Sequence, residues 1–564
     1  MSSPKKRVYQ HLQIIKVILR APLVLLTSLL MSLSLLLWLP VYIFRLVAIS
    51  TGKLRPSLGK ILTPMDLITF ENFHPDKAPK GSLVATALLE EDITVESVQR
   101  LFKDSLSQSS SNFQLLQPKL QQYQSYWLGF AFWKNDPDFQ IQNHVVEYSN
   151  PVNNLGSVAE VHEHLLNKTF VPKRSPWELL VLRNCNFYQT SSAQRSCTPM
   201  HNCNPEVVGD PNNNNRQGQT LLALRIHHTL GDGISVLKLF VQGLGKKTLV
   251  KATPKLTTRS VKDNLVLLST LPFSIGEECL KFWYHTLYYC RSHLRLLRAM
   301  DSKRARKVVA ITELMSMSEV KSIAKESGVT FSAVILTIIT CSLRKLIIRK
   351  EGKGQEIVLP TGYILPVDGH PNELANHWAF TYTFLRLSEM GYRERLINCN
   401  EIFINLKTSA KAYFLRYGTF LVGTIFHALS KYSMKNRICS TIITNIAGDE
   451  EGFSVQGKKC VDFSLTTGGN EYVGKCVETD VFFVLISFPR SLTHSSHHSF
   501  LGLTFCIMSY KGAFRICAVA DQTVLPQEKV DKLSYLMYDE FQNIKYDILK
   551  PALSPGNVIQ ILEV

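Results

Sequence analysis

Residues 227–233, HHTLGDG, place two imidazoles, a carboxylate and two glycines within seven consecutive positions. The residues just before them, LLALRI at 221–226, predict a short and largely buried strand. Beyond this stretch the apolar residues recur at helical spacing, at Ile234, Leu237, Val241 and Leu244. The pattern therefore predicts a strand, a turn and a helix. Such a corner holds a polar cluster at the rim of a core, where a proton-transferring histidine is needed.

A histidine at this corner has the right chemistry for acyl transfer. Its ordinary pKa of about 6.5 lets the neutral ring take a proton from an alcohol that attacks an activated acyl group. At a strand end His227 and His228 point to opposite faces, so only one is readily the base, and the spacing leaves open which. Asp232 either orients an imidazole or pairs with an arginine, and a structural role is favoured. Gly231 and Gly233 allow a sharp turn and close substrate approach.

A metal centre and a serine hydrolase are both disfavoured. Adjacent histidines on a strand diverge, whereas a zinc site on a helix uses a pair four residues apart. Two other clusters are interpreted as polar loop residues and not as ligand sets: Cys197, His201 and Cys203, and His494, His497 and His498. The GxSxG pattern of a nucleophilic serine is absent from the sequence. We therefore predict neither a metal nor a resident cofactor.

A membrane segment is predicted near the N-terminus. Residues 21–44 contain no charged side chain, and a helix of this length spans about 36 Å, enough for a hydrocarbon core of about 30 Å. A cleavable signal peptide fits less well, because the apolar run is long and no clear cleavage site follows it. Basic residues flank both ends and do not orient the segment. A single span is preferred on length, and Pro22 and Pro40 leave a re-entrant hairpin open.

The overall charge indicates a phosphate-bearing partner. The chain has 63 Lys and Arg against 45 Asp and Glu, a formal net charge of +18, which suits nucleic acid, anionic lipid or a phosphorylated substrate. No zinc-finger spacing or aromatic RNA-binding signature is found, so nucleic acid is not expected. The 12 cysteines follow no disulfide framework, which favours a reducing compartment.

The composition divides the chain into segments. In order, we predict a basic segment at 1–20, a membrane segment at 21–44, a first catalytic domain at 60–255, a helical linker at 256–306 and a second catalytic domain at 307–564. The linker mixes aromatic and basic residues, which is typical of an interfacial helix or of a helix packed on protein. Residues 318–350 predict a helix, a turn at Gly328 and a second, apolar helix.

The motifs resemble a known family. His227, His228, Asp232 and Gly233 match the HHxxxDG pattern of an acyltransferase superfamily. From about residue 63 almost to the C-terminus the chain is similar to the wax ester synthase / diacylglycerol acyltransferase family. The matching stretches are TPMD at 63–66, WKNDPDFQIQNH at 133–144, RSPWE at 174–178, LPV at 365–367 with Asn376, TNIAG at 444–448, and 509–521. Ser332 and Ala333 depart from it, since the family commonly has Asn and Asp there.

The resemblance implies an α/β fold of two chloramphenicol-acetyltransferase-like domains that face each other across a tunnel. It implies His228 as the general base, with His227, Asp232 and Gly233 completing the motif. It also implies substrate contacts from Asn376, Asn445 and Trp177. The expected substrates are acyl-CoA and a lipid alcohol, either a fatty alcohol or diacylglycerol. With the membrane segment, it indicates a protein of the endoplasmic reticulum membrane or of lipid droplets, with its catalytic domains in the cytosol.

A second interpretation is a catalytically silent lipid-binding or lipid-droplet scaffold derived from the same fold. It is motivated by Ser332 and Ala333 and by the membrane segment. The intact HHTLGDG stretch argues against it, because a silent scaffold has no evident need for a base.

Overall fold

The computed structural model describes most of both predicted catalytic domains. Its described residues are 38–70, 81–107, 119–148, 157–185, 218–245, 306–347, 357–408, 411–424, 441–468, 502–522 and 525–549, with isolated positions at 21–36, 73, 79, 247 and 439. The strands are β1 (Leu58–Ile61), β2 (Ser82–Leu89), β3 (Gln122–Trp127), β4 (Phe130–Asn135), β5 (Val145–Glu147), β6 (Trp177–Cys185), β7 (Gln219–His227), β8 (Lys307–Ile311), β9 (Met315–Ser316), β10 (Val358–Pro366), β11 (Trp378–Arg386), β12 (Thr441–Ile446), β13 (Ser454–Val455), β14 (Lys458–Thr467), β15 (Leu503–Tyr510) and β16 (Ala513–Asp521). The helices are α1 (Trp38–Gly52), α2 (Pro64–Ile68), α3 (Val95–Ser107), α4 (Val158–Asn167), α5 (Gly233–Lys238), α6 (Met317–Glu326), α7 (Phe331–Ile347), α8 (Tyr392–Thr408), α9 (Lys411–Val422) and α10 (Gln527–Leu549).

The first large sheet carries the HHTLGDG corner. Its strand order is β13-β14-β2-β7-β6-β5. Because β7 lies inside the sheet, residues 220–227 are buried, as the apolar run predicts. Antiparallel pairing sets Ser82 opposite His227 and Trp177 opposite Ile226. The strand end that bears the motif is therefore supported by β2 on one side and by β6 on the other.

The second large sheet lies in the C-terminal half. Its order is β11-β10-β12-β15-β16-β8, with β9 paired to β16. The helices α7 and α10 pack together beside it and share its core, with apolar residues such as Ile335, Leu336 and Phe541 buried. The predicted helix, turn and apolar helix at 318–350 are confirmed as α6, Gly328 with φ of 64°, and α7. The predicted α/β class is also observed in both halves.

One segment crosses between the halves. The strands β13 and β14 come from the predicted second domain, 307–564, but complete the first sheet beside β2. The predicted division at 60–255 and 307–564 therefore does not follow the sheets. The exchange covers the edge of β2, which would otherwise present unpaired backbone groups.

A small third sheet, β1-β4-β3, packs under α1. Within the part of the chain that the structure describes, no single helix is both long and apolar enough to cross a bilayer. The helices α6 and α7, which meet at a 99° bend, reach that length and composition only as a pair. The predicted membrane segment 21–44 lies partly outside the described residues, and its last residues belong to α1. A transmembrane helix there stays a prediction.

Several other predictions fall on residues that the structure does not describe. They concern the basic segment 1–20, all but the last residue of the linker 256–306, and the Cys and His clusters at 197–203 and 494–498.

Candidate active site

The predicted corner is confirmed. The strand β7 ends at His227, and α5 begins at Gly233. The turn between them is closed by a bond from the Leu230 amide to the His227 carbonyl, 2.9 Å. Asp232 is the N-cap of α5, and its Oδ1 accepts from the Ser235 amide at 2.9 Å. Aspartate is favoured at this position because its carboxylate satisfies a backbone donor that the helix leaves free.

His228 borders the cleft between the two halves, and its ring is held by Asn376. The Asn376 Oδ1 lies 2.9 Å from Nδ1 of His228. The Asn376 Nδ2 donates to Oδ1 of Asp66 at 2.9 Å and to the His228 carbonyl at 2.8 Å. Since the amide nitrogen faces two acceptors, the amide oxygen must face the imidazole. Nδ1 of His228 therefore carries the proton, and Nε2 is the proton acceptor.

The position of Asn376 depends on a carboxylate from the first half of the chain. Asp66, in α2, is fully buried. Its Oδ2 pairs with Lys119 Nζ at 3.2 Å, which leaves Oδ1 for Asn376. Asp66 lies in the TPMD stretch that matches the family's opening motif, but its role was not predicted. The contact joins residues 310 positions apart, so no local pattern marks it.

The surroundings of His228 favour its neutral form. Burial lowers the pKa of His228, while the negative charge of Asp232 and the hydrogen bond that His228 donates to Asn376 act in the opposite direction. A ring that is neutral at physiological pH can accept a proton. The geometry and the electrostatics thus both suit a general base.

Asp232 is a clamp between α5 and the loop that follows β10. Its carboxylate accepts from the His377 amide at 2.8 Å and lies 3.0 Å from Nε2 of His370. Burial alone would raise the pKa of Asp232, but the His370 contact and the backbone donors hold it below its ordinary value. The predicted structural role fits these contacts. The partner ring belongs to His370, which the sequence did not single out, and not to an arginine or to the motif's own histidines.

His227 lies away from the cleft and is buried. Its Nδ1 lies 2.7 Å from the Thr229 hydroxyl and 3.3 Å from Nε2 of Gln124. The Phe73 ring packs edge-on against it at 4.9 Å. The two imidazoles therefore diverge, as expected at a strand end, and of the two His228 is the one that borders the cleft.

The cleft itself is mostly apolar and draws on both sheets. It encloses about 780 Å³ of empty space, its open mouth included. Its apolar wall includes Leu83 and Leu465 from the first sheet and Ile364 and Ile442 from the second. Asn445, on β12, also lines it, as does Thr444. Asn445 therefore lies at the cleft, and its contact with a substrate stays a prediction.

Gly233 lies where the two halves approach closely. A Cβ at this position would collide with Cδ1 of Ile446 and lie 3.1 Å from Cδ2 of Leu465. Ile446 comes from β12 of the second sheet, whereas Leu465 comes from β14, which completes the first sheet. The glycine is thus explained by packing at the cleft, and not by an unusual backbone angle.

Trp177 does not lie at the cleft. Its ring stacks on His144 at 4.7 Å and on Phe102 at 5.3 Å, and its Nε1 donates to the Leu120 carbonyl at 2.8 Å. The side chain is 2% exposed. This position favours a role in the core of the first half over the predicted substrate contact.

The departure at Ser332 and Ala333 falls at the start of α7. Ala333 is buried in the core of the second half, and neither residue lines the cleft. The departure therefore lies away from the residues that line the cleft around His228.

The chain is similar to several solved structures. No family profile matches the chain, and no curated protein matches it significantly. Among solved structures it is similar to a wax ester synthase/diacylglycerol acyltransferase from Marinobacter aquaeolei VT8, with 14% identity over 86% of this chain and 100% of that chain and a TM-score of 0.46. It is also similar to TRI3 trichothecene 15-O-acetyltransferase from Fusarium sporotrichioides, with 11% identity, 86% and 94% coverage and a TM-score of 0.47. A third is the first condensation domain of the CDA synthetase, with 9% identity, 85% and 93% coverage and a TM-score of 0.45.

Proposed function

We propose that the chain is an acyltransferase that moves a long-chain acyl group from acyl-CoA to the hydroxyl of a lipid alcohol. The observation that carries the proposal is the Asn376 contact, which leaves Nε2 of His228 as a proton acceptor at an apolar cleft. A general base in this position activates a hydroxyl and needs no other nucleophile.

The reaction follows from this tautomer. Nε2 of His228 takes the hydroxyl proton as the alcohol oxygen attacks the thioester carbonyl carbon. The tetrahedral intermediate collapses, the carbon–sulfur bond breaks, and the imidazolium returns its proton to the departing thiolate. The products are an ester and free CoA, and no covalent acyl-enzyme forms. Asn376 holds the His228 ring in one orientation throughout the reaction, because its Oδ1 accepts from Nδ1 of His228. Asp66 in turn holds Asn376 by accepting from its Nδ2.

The substrate class is inferred from the cleft and from the composition. The apolar wall suits aliphatic chains, and the polar side chains of Asn445 and Thr444 are available for the reacting ester group. The net charge of +18 suits the phosphates of CoA. The predicted membrane segment suits an acceptor dissolved in a bilayer or in a lipid droplet, either fatty alcohol or diacylglycerol.

The test is acyl transfer by the purified full-length chain. One labelled acyl-CoA is offered to a mixture of fatty alcohols, glycerolipids and sterols, and the products are identified by mass. His228→Ala should lower kcat by about 10²- to 10⁴-fold. His164→Ala, which removes an exposed histidine from α4, serves as the matched control and should retain full turnover.

Two outcomes would contradict the proposal. Wild-type turnover in folded His228→Ala would refute the assigned base. Lipid binding with no transfer to any acceptor would favour the silent scaffold instead.

A further inference from the structure

The outer face of α1 is apolar and exposed. Its inner face packs on the β1-β4-β3 sheet through Ala48, which is fully buried, and through Arg45, whose guanidinium lies 5.6 Å from the centre of the Phe130 ring. The large apolar side chains of the outer face are each exposed to about half their area: Leu39, Ile43, Leu46 and Val47. The helix is therefore largely apolar on both faces, and among the described residues only its inner face is packed against protein.

The hairpin between β3 and β4 continues this face. Its tip residue Leu128 has φ of 48° and is 39% exposed. The neighbouring Trp127 donates to the Thr51 hydroxyl at 3.1 Å, and the Arg55 guanidinium stacks 3.5 Å from its ring centre. These contacts fix the hairpin tip to the end of α1. Leu54, next to Arg55 in the chain, is 82% exposed.

Positive charge surrounds the apolar residues. Lys53, Arg55 and Lys60 are exposed, and the chain has no Asp or Glu between residues 38 and 65. Apolar and aromatic side chains bordered by Lys and Arg, without acidic residues, complement a bilayer interface that carries anionic lipid. An acidic protein would match the positive charge of this surface, but its binding would not require the large exposed leucines. A bilayer accounts for both the charge and the leucines.

The small sheet also connects this face to the HHTLGDG corner. Along β3, Trp127 faces α1, whereas Gln124 and Tyr126 lie on the opposite side of the sheet, where Tyr126 is partly exposed. Gln124 contacts His227, and Tyr126 packs edge-on against Phe70 at 5.3 Å. Phe70 follows Thr69, whose carbonyl accepts from the Thr229 hydroxyl at 3.4 Å. The helix α1 and one layer of sheet thus separate the exposed face from the corner.

We propose that the outer face of α1, together with Leu54 and Leu128, is a docking surface for a bilayer containing anionic lipid. Docking places the small sheet, and the His227 side of the corner behind it, next to the bilayer, so that the lipid acceptor is delivered to the protein directly from the membrane. The delivery of acceptor rests on the proposed function, whereas the docking itself does not.

The docking is tested without any activity measurement. The photoreactive residue p-benzoylphenylalanine is placed at Leu54 or Leu128 of the full-length chain, and for comparison at Leu314 or Ile397, which are 45% and 55% exposed in the second half. Irradiation with phosphatidylcholine vesicles containing phosphatidylserine should give several-fold more lipid adduct at Leu54 and Leu128 than at the comparison sites. Adduct should decrease when phosphatidylserine is omitted. Equal yields at the four sites, or no lipid adduct at Leu54 and Leu128, would overturn the proposal and assign the surface to a protein partner.

The delivery of acceptor is tested with a paired variant. Leu54→Glu with Leu128→Glu leaves α1 intact and should lower kcat/KM for vesicle-borne diacylglycerol roughly tenfold. Turnover of a short, water-soluble alcohol should not change. Leu314→Glu with Ile397→Glu is the matched control and should behave as wild type with both acceptors. An equal loss with both acceptors would overturn delivery through this surface. A chain that forms the lipid adducts but transfers to no acceptor would refute the proposed function and leave the docking standing.

Discussion

The Nε2 of His370 lies 3.0 Å from the Oδ1 of Asp232, so the acidic residue of HHTLGDG is held by a histidine 138 positions further along the chain. Lys238, from the last turn of α5, donates to the carbonyls of His370 and Pro371 at 3.1 and 2.9 Å. Two residues, the N-cap and the last residue of α5, therefore fasten the loop after β10, and this loop carries Asn376. The motif's carboxylate acts on the base through the position of that loop.

Asp232→Asn should destabilise the protein at least as visibly as it slows the reaction. The amide would present a donor where the carboxylate accepts from Ser235, His377 and His370, and a buried unsatisfied group costs about 1–3 kcal/mol. Chemical denaturation measures the change in the free energy of unfolding. His228→Ala provides the comparison, since it should lose activity with a smaller change in stability. Unchanged stability in Asp232→Asn would contradict the clamp.

Asn376→Leu should slow turnover by releasing the His228 ring. Loss of the orienting hydrogen bond, at about 1–3 kcal/mol, corresponds to roughly 5- to 150-fold in kcat. A second readout separates positioning from general damage. Because the Asn376 bond raises the pKa of His228, its removal should move the acid limb of the pH–rate profile to lower pH. A reduced rate with an unmoved acid limb would indicate a structural role only.

The wild-type protein should keep its activity into the mildly acidic range. The base must be neutral, and burial lowers the pKa of His228, so kcat/KM should fall only as pH drops below the ordinary histidine value of about 6.5. The measurement is kcat/KM against pH with a water-soluble acceptor, which avoids changes in the vesicles. An acid limb centred at or above pH 6.5 would contradict the assignment.

His162 should make the protein less stable as pH falls. Its ring is fully buried against the hydroxyls of Thr86, Ser464 and Thr466, at 2.9, 3.1 and 2.6 Å, and so joins α4 and β2 to the crossing strand β14. Burial lowers the pKa of His162 to about 3. The contribution of His162 to the free energy of unfolding is therefore fully present at pH values above about 6.5, the pKa of histidine in the unfolded chain. It is lost as pH falls towards 3, at up to about 1.4 kcal/mol per pH unit.

The variant His162→Gln checks this assignment through the pH dependence of unfolding. It should be less stable than wild type at pH 7.5, but its free energy of unfolding should fall less steeply between pH 6.5 and 4.5. Parallel curves for the two proteins would rule out His162 as the titrating group.

Gly233→Ala should impair both folding and turnover. The added methyl group collides with Ile446 and crowds Leu465, and overpacking of this kind costs about 1–3 kcal/mol. Gly328→Ala is not a suitable control because its φ of 64° adds backbone strain, whereas Gly391→Ala meets no atom within 4 Å and has no such strain. Wild-type stability and activity in Gly233→Ala would show that the two halves do not approach as closely as described.

Local patterns in the sequence predicted the elements that carry the site. Consecutive apolar residues, two glycines and helical spacing predicted β7, the turn and α5 without reference to the rest of the chain. The same reasoning predicted α6 and α7 around Gly328. These features depend on interactions between near neighbours, which sequence spacing describes directly.

Only the tertiary structure showed which side chains from distant parts of the chain contact the residues of this corner. Asp66 and Asn376 lie beside His228 although they are 162 and 148 residues away in the chain. The strand β14 pairs with β2. Trp177 lies in the core and not at the expected substrate contact. The fold also supplies His370 as the partner of Asp232. Hydrogen bonds between distant residues and packing between sheets leave no periodic trace in a single sequence. The HHTLGDG stretch supplies two adjacent histidines, and the fold decides which of them borders the cleft and which tautomer it adopts.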